Sequence, residues 1–268
     1  MASIITPTLL SAIRTQPHLP TNTWYLITAT ALSMLNRPDE IPKVYTYALS
    51  HGPGAVDSPL KETEQLNMTR RMREALVKSA PIGGLPKTIN ALLELKKATP
   101  LAFLDEPLAP SPTRRRSEVF DTPSTQLLDR GQEFFDLLYG KITQRVMGNM
   151  DQSGTEDLGL TARLMYGYIL SNTSLLTPVE TSYVVLAALI PQDVGYLVLQ
   201  LDNPTLTSKQ VNPQLKGHLK GALNGGATVD NVRAVREIVI KICEASGMKR
   251  IADEATGGWG WRGEVANL

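Results

Sequence analysis

A histidine and a glutamate in the second half of the chain are of the types that proton-transfer chemistry requires. His218 is one of three histidines in the sequence, and an imidazole titrates close enough to neutral pH to accept and release protons. Glu180 stands at the start of an apolar helical stretch, where the helix dipole favours an ionised carboxylate. A carboxylate held against one imidazole nitrogen fixes the tautomer and leaves the other nitrogen for a ligand. We therefore predict a catalytic pair in which Glu180 holds His218.

Both residues also have a purely structural interpretation. Thr177, Pro178 and Glu180 have the spacing of a capping box, in which the glutamate reaches back to the N–H of the threonine. Capping alone would account for this glutamate, although one carboxylate can perform both tasks. His218 is equally consistent with a packing or surface histidine. The sequence leaves both interpretations open.

Other residues with reactive side chains have weaker claims to a catalytic role. Cys243 is the single cysteine, which excludes an intrachain disulfide and favours a small buried hydrophobic residue. His51 follows a serine and precedes a Gly-Pro-Gly turn, so we expect it to be solvated. Tyr139, Tyr166 and Tyr183 could line a pocket, although tyrosines at helical spacing are more often part of a core.

The elements that must position these side chains are predicted to be helices. Apolar residues recur at steps of three and four through most of the chain, which is the period of a buried helix face. The predicted helices cover residues 24–35, 41–50, 68–79, 86–98, 127–147, 155–170, 178–190, 212–223 and 228–245. Because no convincing alternating strand pattern accompanies them, the predicted fold class is all-α.

One helical stretch is written twice in the sequence. Residues 70–78 align without a gap on residues 233–241, and two arginines, a glutamate and a lysine coincide. This similarity predicts two tandem degenerate repeats. The recurring Arg-Glu pairs, Arg73-Glu74 and Arg236-Glu237, are expected to form ion pairs between helices or subunits.

The aligned copies differ at the candidate catalytic positions. Asn22 falls opposite Glu180, and Val44 falls opposite His218. Both groups proposed to move protons are therefore missing from the first copy, whereas its apolar positions are kept. This difference favours one working copy and one scaffolding copy.

Composition shifts divide the chain into four predicted regions. The first repeat covers residues 1–98, and the second, with the candidate site, covers residues 127–250. Residues 99–126 contain several prolines with serine between them, which is typical of a linker or surface loop. Residues 251–268 contain Gly and Trp without a helical period, and they are predicted to form an irregular tail.

The second half resembles the carboxymuconolactone decarboxylase family over residues 213–228, PQLKGHLKGALNGGAT, and the REIVIK helix that follows. In that family a helix bearing one histidine ends in a glycine-containing turn, and a threonine caps the next helix. The pairs Arg130-Gly131, Tyr139-Gly140 and Tyr166-Gly167 match the family's usual upstream segment. The resemblance, which extends to the wider AhpD-like superfamily, implies an all-helical homo-oligomer, here a dimer or trimer.

The same resemblance bears on the chemistry. AhpD-like alkylhydroperoxidases use a glutamate followed by C-x2-C-x3-H, and Glu180 and His218 match the glutamate and the histidine. Gln214 and Val211 occupy the two cysteine positions, so a thiol peroxidase is disfavoured. What remains is a lyase-like or isomerase-like enzyme acting by proton transfer on a small carbonyl or carboxylate substrate, with no metal or organic cofactor. The alternative is a non-catalytic oligomeric binding or scaffold protein of the same fold.

Charge and terminal sequences predict the compartment. The net charge of +1 argues against a nucleic-acid partner, and the apolar runs are too short to cross a bilayer. The tripeptide Ala266-Asn267-Leu268 resembles a peroxisomal signal, which predicts a peroxisomal import receptor as a partner and the peroxisomal matrix as the location. Residues 1–38 lack Asp and Glu, as mitochondrial presequences do, so mitochondria are the alternative.

Overall fold

A computed structural model describes residues 3–54, 57–58, 60–105, 109–192 and 212–248. Over these residues the fold is all-α, as predicted, with no strand. None of the described helices has the length and apolar character needed to cross a membrane. The helices are α1 Pro7–Arg14, α2 Trp24–Met34, α3 Ile41–His51, α4 Glu62–Gly83, α5 Leu85–Ala98, α6 Arg115–Asp121, α7 Ser124–Tyr139, α8 Thr143–Asp151, α9 Asp157–Met165, a π-helix Tyr166–Leu170, α10 Pro178–Leu189, α11 Asn212–Asn224 and α12 Val229–Ala245.

Helices α2 and α10 form the centre of the molecule. Every residue of α2 is buried, and so are residues 181–189 of α10, which is expected of helices that are apolar around their whole circumference. The two helices pack against each other, and both α4 and α12 pack against each of them. The segments that align in sequence, residues 70–78 and 233–241, thus lie in α4 and α12. The duplication itself stays a prediction.

Two predicted helices differ from a single regular α-helix. The helix predicted over residues 127–147 ends at Tyr139, because Gly140 takes a positive φ of 50°, and α8 begins at Thr143 after a single 3₁₀ turn. The helix predicted over residues 155–170 consists of α9 followed by the π-helix. The expectation of a single helix over residues 127–147 was therefore wrong, whereas residues 157–170 are helical throughout and only their winding changes at Tyr166.

The predicted linker, residues 99–126, contains local structure. A 3₁₀ turn covers Leu101–Phe103, and α6 follows at Arg115–Asp121. Arg115 and Glu118 of α6 form ion pairs with Glu74 and Arg130, so this segment is tied to both halves. The predicted domain boundaries stay predictions, and the tail at residues 251–268 lies outside the described residues.

Candidate functional site

His218 lies in the wall of a cleft between α7, α8 and α11. The cleft has a volume of about 580 Å³. Its lining residues are Phe135, Tyr139, Ile142, Arg145, Val146, Asn149, Met150, Tyr166, Gln214, Gly217 and His218. Aromatic and aliphatic side chains therefore form most of the wall, with a few polar groups among them.

Glycines on α11 bring His218 close to α7. A methyl group on Gly217 would lie 3.2 Å from the ring of Tyr139, and one on Gly221 would lie 3.3 Å from the carbonyl oxygen of Leu138. Both distances are tighter than normal carbon contacts, so larger residues at these positions would push the helices apart. The small residues on this face of α11 therefore place the His218 ring beside Tyr139.

Other residues of the segment 213–228 form hydrogen bonds at the end of α7 and at the start of α12. Asn224 donates a hydrogen bond of 2.8 Å from its amide to the carbonyl of Leu138, in the last turn of α7. Thr228 caps α12 and accepts a bond of 3.1 Å from the N–H of Asn231, as the resemblance implied. Sequence analysis singled out this run, but it did not foresee that Asn224 contacts α7.

A second glycine contact brings the π-helix against α7. A methyl group on Gly131 would lie 2.5 Å from the backbone nitrogen of Gly167, and one on Gly167 would lie 2.8 Å from the carbonyl oxygen of Leu127. The two backbones touch because neither glycine has a side chain. This contact sets Tyr166, which immediately precedes Gly167, beside Tyr139.

The result is a row of three polar groups. The Nε2 atom of His218 lies 3.2 Å from the Tyr139 hydroxyl, which lies 3.5 Å from the Tyr166 hydroxyl. Burial lowers the pKa of His218 to about 4, so its imidazole is neutral at physiological pH. Burial also raises the pKa values of Tyr139 and Tyr166, so both hydroxyls keep their protons. The buried Nδ1 atom of His218 has no hydrogen-bond partner among the described residues.

Glu180 does not join this row. Its carboxylate accepts bonds of 2.9 Å from the N–H of Thr177 and 2.6 Å from Arg71. Burial raises the pKa of Glu180, but the bonds from Arg71 and Thr177 outweigh it, so the pKa lies below its usual value. The capping box is confirmed. The predicted contact between Glu180 and His218 is wrong, because the Arg71 guanidinium holds the carboxylate against α4, whereas His218 faces α7.

Arg71 connects the starts of the two central helices. Besides Glu180, its guanidinium donates to the Tyr25 hydroxyl at 3.1 Å and to the carbonyls of Leu175 at 3.0 Å and Asn22 at 3.2 Å. Asn22 and Glu180, which align in sequence, therefore meet at the same guanidinium. The carboxylate at this position is thus part of a structural junction between α2, α4 and α10.

Lys78 is a second buried cation on the same face of α4. Its side chain is fully buried, and its ammonium donates to the carbonyl of Leu170 at 2.6 Å and to the hydroxyl of Thr181 at 2.9 Å. Burial lowers the pKa of Lys78 to about 7. Sequence analysis missed both Arg71 and Lys78. The available signal was their spacing of seven residues, which places both on one face of a helix.

The remaining candidates have mixed outcomes. Cys243 is buried, as predicted, and burial together with the nearby Glu244 raises its pKa to about 12. His51 is half-buried and stacked on Tyr47 with ring centroids 3.9 Å apart, so the expectation of a solvated side chain was wrong. Tyr183 and Tyr166 both belong to the core, and Tyr139 packs against it; of the three, Tyr139 and Tyr166 also line the cleft.

The recurring Arg-Glu pairs also differ between the copies. In the first copy both residues form ion pairs with other elements, Arg73 with Asp105 and Glu74 with Arg115. Glu237, the counterpart of Glu74, is exposed. Val211 and the tripeptide Ala266-Asn267-Leu268 lie outside the described residues.

Comparison with known proteins gives the relationship of the whole chain. No family model and no solved structure matches it. A Schizosaccharomyces pombe protein named Peroxisomal protein 2 is 36% identical over 233 residues, which cover 87% of this chain and 91% of the relative. A Saccharomyces cerevisiae protein of the same name is 30% identical over 270 residues, covering 85% of this chain and 89% of the relative. The predicted peroxisomal localisation is thereby confirmed, and the chain belongs to the family of these yeast peroxisomal proteins.

Proposed function

We propose that this protein binds a small carbonyl or carboxylate compound in the His218 cleft and carries out proton-transfer chemistry on it, of the lyase or isomerase type. The row of His218, Tyr139 and Tyr166 beside the cleft is the observation that carries the proposal. The cleft volume of about 580 Å³ falls within the range of about 300–1,000 Å³ that is usual for small-molecule sites. The likeness of residues 213–228 to the carboxymuconolactone decarboxylase signature supports the same chemistry.

The low pKa of His218 decides which role it can take. A neutral imidazole has one N–H donor and one acceptor nitrogen, and a group with a pKa of about 4 is a weak base at neutral pH. Its stronger contribution is a hydrogen bond to an oxygen that becomes negative during the reaction. Such a donor, fixed in advance in a poorly solvated site, stabilises an enolate more than water does.

The cleft also has groups suited to an anionic substrate. Arg145 is exposed and lines the cleft, and a guanidinium binds a carboxylate through paired hydrogen bonds. Gln214, at one of the positions where peroxidases of the superfamily have cysteine, lines the cleft as well. An amide there can hydrogen-bond a carbonyl group but cannot form a disulfide.

Decarboxylation illustrates the proposed division of roles. The bond between the substrate carbon and its carboxylate breaks, and the electron pair moves into an adjacent carbonyl group to form an enolate. Tyr139 and His218 donate hydrogen bonds to the enolate oxygen, while Arg145 holds a second carboxylate. Carbon dioxide leaves, and a proton taken up from water through Tyr139 returns to the carbon.

The first prediction concerns His218→Gln. We expect at least a tenfold loss of carbon dioxide release from carboxymuconolactone or from a panel of β-keto acids, because the imidazole donor is lost while the volume is nearly kept. Release is measured with purified full-length protein, and thermal unfolding reports on folding. His51→Gln, which changes an imidazole in the groove between α1 and α3, is the matched control. Equal turnover in wild type and His218→Gln would contradict the proposal.

The second candidate is a non-catalytic binding or scaffold protein. It is favoured by the engagement of Glu180 with Arg71, since the carboxylate expected to activate His218 is occupied elsewhere. Probe compounds that bind to the wild type but not to His218→Gln, with no product formed, would support this candidate.

A thiol peroxidase has the least support. Cys243 is buried with a pKa of about 12, whereas a peroxidatic thiol must be an accessible thiolate. The peroxidase therefore stays the least supported of the three candidates.

Oligomeric assembly and recognition by a peroxisomal import receptor are two further proposals. Leu85, Ile89 and Leu93 lie four residues apart on the outer face of α5 and are 66%, 53% and 52% exposed, which supports a homo-oligomer, dimer or trimer. Recognition of Ala266-Asn267-Leu268 by a peroxisomal import receptor, leading to the matrix, stays a prediction.

A further inference from the structure

Three cations bind the carbonyl groups at the end of the π-helix. Hydrogen bonds run from Arg130 to the Gly167 carbonyl at 2.9 Å, from Arg115 to the Tyr168 carbonyl at 3.1 Å and the Ile169 carbonyl at 3.2 Å, and from Lys78 to the Leu170 carbonyl at 2.6 Å. We call Lys78, Arg115 and Arg130 the cation clamp. The last carbonyls of a helix have no partner within the helix and carry partial negative charge, so the clamp supplies donors to them, with the Ser171 hydroxyl as a further donor to the Gly167 carbonyl at 2.8 Å.

Carboxylates fix the two arginines of the clamp. Arg115 forms a two-bond ion pair with Glu74 of α4, in which one bond measures 2.7 Å. Arg130 forms a two-bond ion pair with Glu118 of α6, with bonds of 2.8 and 3.1 Å. Planar paired bonds of this kind restrict the orientation of a guanidinium. The clamp is therefore a rigid assembly built from α4, α6 and α7.

The clamped helix leads directly to the cleft. Tyr166 is the first residue of the π-helix and lines the cleft, and its ring packs edge-on against Phe135 with centroids 4.8 Å apart. A π-helix is a rare geometry that needs support from outside the segment. The donors at its end therefore act together with the Gly131–Gly167 contact to hold the wider winding that places Tyr166 beside Tyr139.

We propose that the cation clamp positions the His218 cleft. Lys78, Arg115 and Arg130 hold the end of the π-helix, the π-helix holds Tyr166, and Tyr166 with Tyr139 keeps His218 buried in its neutral hydrogen-bonded state. This inference rests on the proposed function, but the experiment that tests it needs no substrate. None of the three cations lines the cleft, so they are positioning residues and take no part in the reaction.

The test follows the His218 imidazole by NMR in protein labelled at histidine. The chain has three histidines, and His218→Gln identifies the signal of interest. In the wild type we expect no titration of this signal above about pH 5, because burial lowers its pKa to about 4. In Lys78→Met we expect the midpoint to rise by about one pH unit or more, because a displaced Tyr166 admits water to the ring.

Lys241→Met is the matched control, since Lys241 is the aligned lysine of α12 and donates to Gln16, not to the π-helix. It should leave the His218 titration unchanged. A merely destabilising substitution would lower the unfolding temperature without moving the midpoint in the folded protein. An unchanged midpoint in folded Lys78→Met would overturn the proposal.

A second pair of variants decides the matter if Lys78→Met does not fold. Arg115→Gln removes the donor to two of the carbonyls, and Arg116→Gln changes the exposed neighbouring arginine as its control. The midpoint should rise in Arg115→Gln and stay in place in Arg116→Gln. If Arg115→Gln either folds without a shift or fails to fold, the clamp serves stability alone and the proposal is rejected. If the proposed function is wrong but the clamp proposal is right, the His218 midpoint shifts in the clamp variants while His218→Gln has no effect on turnover.

Discussion

Helices α4 and α12 have the same glutamate and lysine at the same spacing and place them in opposite surroundings. Glu74 is 2% exposed and Lys78 is fully buried, and both contact elements far away in the chain. Glu237 and Lys241 lie at the surface or half-buried, and both bond to the side-chain amide of Gln16, at 2.9 and 2.6 Å. The aligned residues thus form a buried ionic network in one helix and a contact with a single polar side chain near the surface in the other, although Gln16 is also distant in the chain.

The difference arises from what each helix face meets. The α4 face meets the first turn of α10 and the end of the π-helix, where exposed N–H and carbonyl groups require charged partners. Arg71 adds a second cation to that face, whereas its counterpart in α12 is Ala234, so Lys241 is the one aligned cation on the corresponding face. The clamp that we propose to position the candidate site thus includes one cation from the first half, Lys78. The scaffolding role of the first copy stays a prediction, and this electrostatic support would be part of it.

We expect the largest effect to be the difference in the free energy of unfolding between Glu74→Ala and Glu237→Ala. Glu74→Ala leaves Arg115 without its buried counter-charge, and we expect the free energy of unfolding to fall by about 3 kcal/mol. Glu237→Ala removes a surface bond and should cost at most about 0.5 kcal/mol. Urea unfolding of both variants measures the difference. Equal losses in the two variants would show that burial does not distinguish the helices.

The next largest expected effect is the pH dependence of stability that comes from Lys78, with the aligned Lys241 as the comparison. Burial, opposed by Glu74 and Glu180 and reinforced by Arg115 and Arg130, lowers the pKa of Lys78 to about 7. The unfolded chain keeps this proton to about pH 10.4. Unfolding therefore takes up a proton between these values, and the contribution of Lys78 to stability rises with pH.

The predicted rise in stability with pH can be tested by comparing the wild type with a variant that lacks Lys78. The stability of the wild type minus that of Lys78→Met should increase by about 2 kcal/mol from pH 7 to pH 9. Lys241→Met, which changes the aligned lysine of α12, is the control. Urea unfolding across this pH range measures both. A flat difference for Lys78→Met would mean that its ammonium is charged throughout the range.

The smallest expected effect on stability is at the start of α10, where Glu180 binds Arg71. Glu180→Gln keeps the cap but loses the charge, and should cost about 1.5 kcal/mol at pH 7. Since the folded pKa of Glu180 is lowered, its contribution is present above the unfolded pKa of about 4.3 and is lost as pH falls further. Glu156→Gln, at the start of α9, is the control. A cost that persists unchanged in acid would indicate packing as its source.

Periodicity and local motifs predicted much of the fold. The apolar steps located α2, α10 and α12 to within one or two residues at each end, and the Thr177 capping box is present as expected. These features depend on neighbours within a single turn or on one helix face. Such short-range causes are visible in a single sequence.

The parts that failed depend on distant partners. The identity of Glu180 does not reveal whether it turns toward His218 or toward Arg71, because that choice depends on how α10 packs on α4. The π-helix was predicted as α-helix, since one additional residue in a turn leaves the apolar pattern nearly unchanged. The burial of His218 likewise depends on glycines of α11 approaching α7, a distance that no spacing in the sequence specifies.

The bonds of Lys78 have a consequence for the synthesis of the chain. Its two acceptors lie 92 and 103 residues further along, and the carboxylate bound by Arg71 lies 109 residues further along. A nascent chain therefore has α4 available long before the groups that bind Lys78 and Arg71 have been made. Burying these cations early would leave them without partners, so α4 cannot settle onto α2 in its final form until α10 has left the ribosome. The two halves must consequently acquire their structure together, and a fragment that ends before residue 181 should behave as an unstable folding intermediate.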